Sequence, residues 1–152
     1  MSYKIYTDGS CSNNGKKNSH GGWAFVVMNN DDEILYEESG YNLNTTNNQM
    51  ELFAIIKAIE YCEEQLDNIC DIKIISDSAY FINCYEQNWY LNWLKNGWLT
   101  SGKKKVANKD LWERIIPFFS DARFNFEKVK GHDISKGNNR ADILAVNAHR
   151  GF

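Results

Sequence analysis

Ile72-Lys73-Ile74-Ile75-Ser76-Asp77-Ser78 is a short apolar run that stops on a small polar residue, an acid and a serine. It reads as a buried strand that runs straight into a helix cap at Ser78. Near the start of the chain, Tyr3-Lys4-Ile5-Tyr6-Thr7-Asp8 alternates in character and then breaks at Gly9-Ser10, which is a second strand ending on an aspartate. In an open sheet, ligands bind beyond the carboxyl ends of parallel strands. Two neighbouring strands of this kind would therefore present Asp8 and Asp77 at one mouth.

Working outward, Gly21-Gly22 opens a strand from Trp23 to Met28, Asn29-Asn30-Asp31-Asp32 makes a turn, and residues 34–41 alternate again, so these two runs form a hairpin. Thr45-Thr46-Asn47-Asn48 supplies helix-capping residues, and apolar positions recur at helical spacing over residues 49–65. Helices are expected after Ser78 to about Glu86, around residues 89–95, and from Asn108 or Asp110 towards Pro117, which cannot lie deep inside a helix. A fifth strand over residues 123–129, a loop over 130–139 and a last helix over 139–149, with Ala141, Leu144, Ala145 and Ala148 inward, complete the chain. The order predicts an α/β domain: a mixed five-stranded sheet with helices on both faces, spanning residues 1–152 as a single unit.

At 152 residues, with 43% hydrophobic and 14% aromatic residues, the chain can bury one substantial core. No stretch approaches bilayer length and the N-terminus has no export signal, so a soluble, cytoplasmic monomer with no membrane partner is expected. Cys11, Cys62, Cys70 and Cys84 lack the close pairing of a zinc site and read as reduced thiols. A net charge of -3 provides no general attraction to nucleic acid, so any such partner requires a local patch. One exists: residues 87–109 contain no acid but carry Lys95, Lys103, Lys104, Lys105 and Lys109.

Glu51, beside Met50 at the start of the long helix, and Asp142, within a turn of Ala145, can lean towards the same core edge as Asp8 and Asp77. Alone, each acid reads as a cap or a solvated surface group. Together they pose a problem, because two like charges about 4 Å apart repel by roughly 4 kcal/mol at an effective dielectric near 20. Such a cluster must be protonated or neutralised by cations. Oxygen ligands without cysteine point to magnesium or manganese rather than zinc, and a pair of such ions suits in-line attack of water on a phosphodiester. His132, in Gly131-His132-Asp133, has a near-neutral reference pKa suited to proton transfer, although a lone histidine is usually an incidental surface residue.

Five blocks, in this order and at these separations, resemble type 1 ribonuclease H: Tyr6-Thr7-Asp8-Gly9-Ser10-Cys11, Thr45-Thr46-Asn47-Asn48-Gln49-Met50-Glu51-Leu52, Ile75-Ser76-Asp77-Ser78, Val129-Lys130-Gly131-His132 and Asn139-Arg140-Ala141-Asp142. The resemblance covers nearly the whole chain. It implies a ribonuclease H-like fold, cleavage of the RNA strand of an RNA·DNA hybrid, and products with 5′-phosphate and 3′-hydroxyl ends. It further implies two Mg2+ ions, with Mn2+ as the substitute, on Asp8, Glu51, Asp77 and Asp142, with His132 matching the family's catalytic histidine. Asn14, Thr46 and Asn47 match positions that contact the DNA phosphate or the minor groove, with Asn48 sharing that role. Such polar groups suit a wide, shallow groove that displays 2′-hydroxyls.

Trp89, Trp93, Gly97, Trp98 and Lys103 to Lys105 resemble the family's basic protrusion, here at about 87–109, with Trp93, Trp98 and the three lysines as nucleic-acid contacts. The spacing of Trp89 and Trp93 also suits packing within that protrusion. Leu94, Asn96 and Leu99 stand where a bacterial protrusion is usually basic, and Ala79 replaces a commonly polar residue. Two rival readings remain: a DNA-acting nuclease or transposase-like enzyme on the same fold, and a catalytically silent hybrid-binding module.

Overall fold

The structure is a computed structural model and describes residues 1–129 and 135–151. Five strands, β1 (Ser2–Ser12), β2 (His20–Met28), β3 (Ile34–Leu43), β4 (Asp71–Ser76) and β5 (Phe124–Lys128), form one sheet in the order β3-β2-β1-β4-β5. The helices are α1 (Asn47–Gln65), α2 (Ala79–Glu86), α3 (Trp89–Asn96), α4 (Lys109–Ile115) and α5 (Lys136–Ala148), and a 3-10 turn follows α4 at Ile116–Ser120. Strands β1, β2 and β3 pair antiparallel, whereas β1, β4 and β5 pair parallel, so the sheet is mixed.

Alternation along the strands divides the core into two layers. Ile5, Phe25, Val27, Ile72 and Ile74 face a large cluster with α1, α2 and α4, while Tyr6, Val26, Met28 and Ile75 face a smaller one beneath Ala141 of α5. Strand β2, interior to the sheet, is buried on both sides, which is why it reads as a continuous apolar run. Helix α1 buries Met50, Leu52, Ala54, Ile55, Ile56, Ala58, Ile59 and Cys62. Each large side chain among them contributes ~1.5–3 kcal/mol on burial. The Thr46–Gln49 capping box at its start contributes ~1 kcal/mol, so packing rather than capping holds the helix in place.

Three boundaries differ from the sequence expectation. Strand β1 does not break at Gly9-Ser10 but continues to Ser12, because β2 pairs with it as far as Ser12↔His20. Helix α5 begins at Lys136 rather than about residue 139, because the Ser135 hydroxyl accepts from Asn138 N–H at 3.0 Å and caps an earlier turn. Helix α1 begins at Asn47, which moves Glu51 into its second turn. Pro117 lies beyond α4 in the 3-10 turn, where its missing N–H costs little. All four cysteines are free, and burial pushes the thiols of Cys62 and Cys84 up to about 12, so both are inert at neutral pH. No helix among the described residues is long and apolar enough to cross a membrane.

Candidate active site

The chain leaves β1 on one side through β2 and β3, then returns across α1 to β4 on the other side. The crevice between β1 and β4 is therefore the point where strand order reverses. The parallel β1–β4 ladder ends at Thr7↔Ser76, so the next residue on each strand is an acid: Asp8 and Asp77. Ser78, capping α2 by accepting from Phe81 N–H at 3.2 Å, turns the chain away immediately after Asp77.

Glu51 reaches the same place from α1 because of Gly9. A Cβ at Gly9 would lie 2.5 Å from Glu51 N and 2.6 Å from the Met50 carbonyl carbon. Only a residue without one lets the helix settle on the strand there. Carboxylate oxygens of Asp8, Glu51 and Asp77 lie within 4.8 Å of one another. Asp142, exposed on α5, approaches Asp8 from the other face of the sheet closely enough for the two carboxyls to interact. Asp8 and Asp77 each interact with all of the other three acids.

The electrostatics follow from this crowding. Burial, then the charge of Asp77 and the contact with Asp142, push the Asp8 carboxyl up to about 8, although Gly9 N–H donates to its Oδ1 at 2.9 Å. Burial and then the charges of Asp8 and Asp77 push Glu51 up to about 10. Asp77 is also raised, chiefly by burial. Glu51 Oε2 is buried with no hydrogen-bond partner among the described residues. A buried carboxylate oxygen without a donor is costly, and a hard divalent cation is the species that would satisfy it beside two further carboxylates. The donor set therefore fits such an ion.

The other predicted residues divide into two groups. Asn14, Thr46, Asn47 and Asn48 come together with Gly15, Ala107 and Asn108 around a groove of about 450 Å3. Asn14 Oδ1 accepts from Asn47 N–H at 2.8 Å, so the first loop and the start of α1 are tied together. Asn108, considered from the sequence only as a helix start, also links this loop to the core. It accepts from Gln49 Nε2 at 3.2 Å and donates to Tyr80 Oη at 3.4 Å, the same oxygen that accepts from Trp112 Nε1 at 3.0 Å. Its left-handed backbone, φ 62, is seen only in the structure.

In the protrusion, Trp93 stacks on Trp98 with centroids 5.6 Å apart and meets Trp112 edge-on at 5.6 Å. These rings therefore join the main core as well as packing against each other. Lys109 Nζ lies 5.6 Å from the centroid of Trp98. Lys103, Lys104 and Lys105 are exposed on a tight loop closed by Thr100 N–H donating to the Lys104 carbonyl at 2.7 Å. His132 lies outside the described residues.

A crevice of clustered carboxylates at a strand-order reversal defines the class as an α/β domain able to hold divalent cations. Comparison with known proteins resolves the family. The RNase H family model matches residues 1–150. Ribonuclease H of Chlorobaculum parvum is 46% identical over 141 residues, covering 93% of this chain and 90% of that protein. Ribonuclease H of Syntrophomonas wolfei is 44% identical over 144 residues, covering 95% and 93%. Among solved structures, the PFV RNase H domain superposes with a TM-score of 0.76 at 25% identity, covering 96% of this chain and 93% of that one. LC11-RNase H1 in complex with RNA/DNA hybrid superposes with a TM-score of 0.67 at 24% identity, covering 96% and 95%. The chain belongs to the ribonuclease H family and is a nuclease, a hydrolase of phosphodiester bonds.

Proposed function

We propose that this protein is an endoribonuclease that hydrolyses the RNA strand of RNA·DNA hybrids with two magnesium ions, for which manganese can substitute, and leaves 5′-phosphate and 3′-hydroxyl ends. The observation that carries the reading is the Asp8–Glu51–Asp77 group with its orphaned Glu51 oxygen, placed where β1 and β4 part. Asp8 would be shared by both ions, with Asp142 completing one site and Glu51 and Asp77 the other. When bound, such a pair supplies charge stabilisation to the attacking and leaving oxygens of the phosphodiester.

The chain's own residues supply the rest. Gly9 sets the spacing between Glu51 and Asp8. The groove at Asn14, Thr46, Asn47 and Asn48 offers amide and hydroxyl groups to the minor groove, where 2′-hydroxyls distinguish RNA from DNA. Lys103, Lys104 and Lys105 bind phosphates of the DNA strand, while Trp93 and Trp98 shape the protrusion from which the lysines project and line its nucleic-acid face. His132 assists proton transfer and product release. The protein works as a cytoplasmic monomer, a single catalytic domain over residues 1–152 with its protrusion at about 87–109.

Asp77→Asn tests the assignment. The variant is expected to retain hybrid binding, measured by fluorescence anisotropy in EDTA, and to lose cleavage in magnesium. Normal turnover by Asp77→Asn would refute these roles.

A further inference from the structure

Helix α5 lies alongside β1, and successive same-face residues of the strand each meet one residue of the helix. Gly137 lies against the Tyr6 ring, Asp142 reaches Asp8, and His149, at the helix's C-terminal cap, meets Ser10. The first contact is core packing and the second belongs to the acid cluster. The third is a partly buried polar arrangement that the reaction does not use directly. His149 is 5% exposed, its Nε2 lies 3.0 Å from Ser10 Oγ, and its Nδ1 lies 2.8 Å from Nδ1 of His20 on β2.

Two imidazole nitrogens at that separation hold together only if one carries a proton and the other offers its lone pair. Either choice leaves His149 Nε2 a partner in Ser10, whose hydroxyl can donate or accept. Both ring nitrogens of His149 are therefore bound to neighbouring strands, one on β1 and one on β2. Burial and the facing His20 hold the His149 pKa below its ordinary value, which favours the neutral ring. The backbone beneath is equally tight: Gly22 pairs with Ser10 in the sheet, and a Cβ there would collide with the Ala145 carbonyl of α5 and lie 3.1 Å from His149 Cδ2. The end of α5 is thus seated on β1 and β2 by directional contacts as well as by apolar packing.

We propose that His149 is a positioning residue for the acid cluster. By binding Ser10 and His20 it fixes how α5 sits along β1, and so holds Asp142 in register with Asp8. This inference rests on Asp142 serving as a cation ligand. Ser10 is two residues from Asp8 on the same strand face, and His149 is two helical turns from Asp142, so a shift of the helix end is transmitted to the carboxylate pair through rigid elements. Groups that hold metal ligands in place typically alter metal affinity by 10- to 100-fold when removed.

The test is calorimetric titration of Mn2+ into the protein bound to a hybrid whose RNA strand carries 2′-O-methyl groups at the cut position. The comparison covers wild type, His149→Ala, Asp142→Asn and the double variant. His149→Ala is expected to weaken Mn2+ binding by about tenfold or more, and to have no further effect in the Asp142→Asn background, because its influence passes through that carboxylate. Ser10→Ala is the second variant, in case loss of the ring prevents folding; it is expected to act in the same direction. An equal loss from His149→Ala with and without Asp142 would show a purely structural residue and overturn the proposal, as would unchanged affinity in both His149→Ala and Ser10→Ala. Unchanged affinity in Asp142→Asn would instead refute Asp142 as a ligand.

Discussion

Replacing Gly9 with alanine perturbs the site without touching any acid. The added Cβ would stand 2.5 Å from Glu51 N and 2.6 Å from Met50 C, and both are backbone atoms that no rotamer change can remove. Ordinary carbon contacts begin near 3.5 Å, so α1 and β1 must separate by about 1 Å at this point. Overpacking of this kind costs ~1–3 kcal/mol. For a chain of this length, that corresponds to a melting temperature lower by roughly 2–10 °C. The effect on catalysis should be larger, because the displaced turn carries Glu51 towards or away from Asp8, and a misplacement of about 1 Å can cost 100-fold in rate. The assay is hybrid cleavage at saturating magnesium, 20 °C below the variant's own melting temperature, with far-UV circular dichroism to verify folding. The expected result is a folded protein with kcat reduced by about two orders of magnitude and little change in hybrid affinity. A folded Gly9→Ala variant with wild-type kcat would refute the claim that this close approach sets the geometry of the cluster.

Further outcomes follow from the electrostatics and from the protrusion. Asp8 and Glu51 have folded-state pKa values raised to about 8 and about 10, above their unfolded values of 3.8 and 4.5, so the folded state retains protons that the unfolded chain releases. Their contribution to stability is therefore full at acid pH and is lost as pH rises through the folded values. In EDTA the melting temperature should fall between pH 7 and pH 9, and added magnesium should reverse the fall; a melting temperature in EDTA that rises over this window would contradict the crowding. Metal binding at pH 7 should also release protons, seen as a calorimetric enthalpy that depends on the ionisation enthalpy of the buffer. Replacing Lys103, Lys104 and Lys105 together with alanine should weaken hybrid binding and reduce the slope of log K against log salt by up to about 3, with kcat at saturating hybrid unchanged. An unaltered slope would remove these lysines from the interface.

The sequence was most informative where a local pattern and a functional demand coincide. Asp8 and Asp77 were legible because each follows an apolar strand with no residue between it and the break, and the end of the parallel ladder at Thr7↔Ser76 leaves both acids at the same level. The two-sided sheet was legible in the alternation of β1 and the continuous apolar run of β2. What could not be read depends on partners distant in the chain. Gly9-Ser10 looks like a strand end, yet pairing with Trp23 and Gly22 continues the strand through it. The same glycine is required by contact with residues 50 and 51, which no local pattern encodes. Trp89 and Trp93 show helical spacing, but the stacking of Trp93 on Trp98 and its edge-on contact with Trp112 of α4 emerge only when the protrusion folds back on the core. The His20–His149–Ser10 arrangement joins three elements and has no signature along the chain.

The central claim is tested most directly by incubating the protein with end-labelled RNA·DNA hybrid, RNA duplex, DNA duplex and single-stranded RNA, each with magnesium, with manganese and with EDTA. Metal-dependent cleavage of only the RNA strand of the hybrid, leaving 5′-phosphate and 3′-hydroxyl ends, is the predicted result. Cleavage of the DNA duplex, or hybrid binding with no cleavage in either metal, would contradict it.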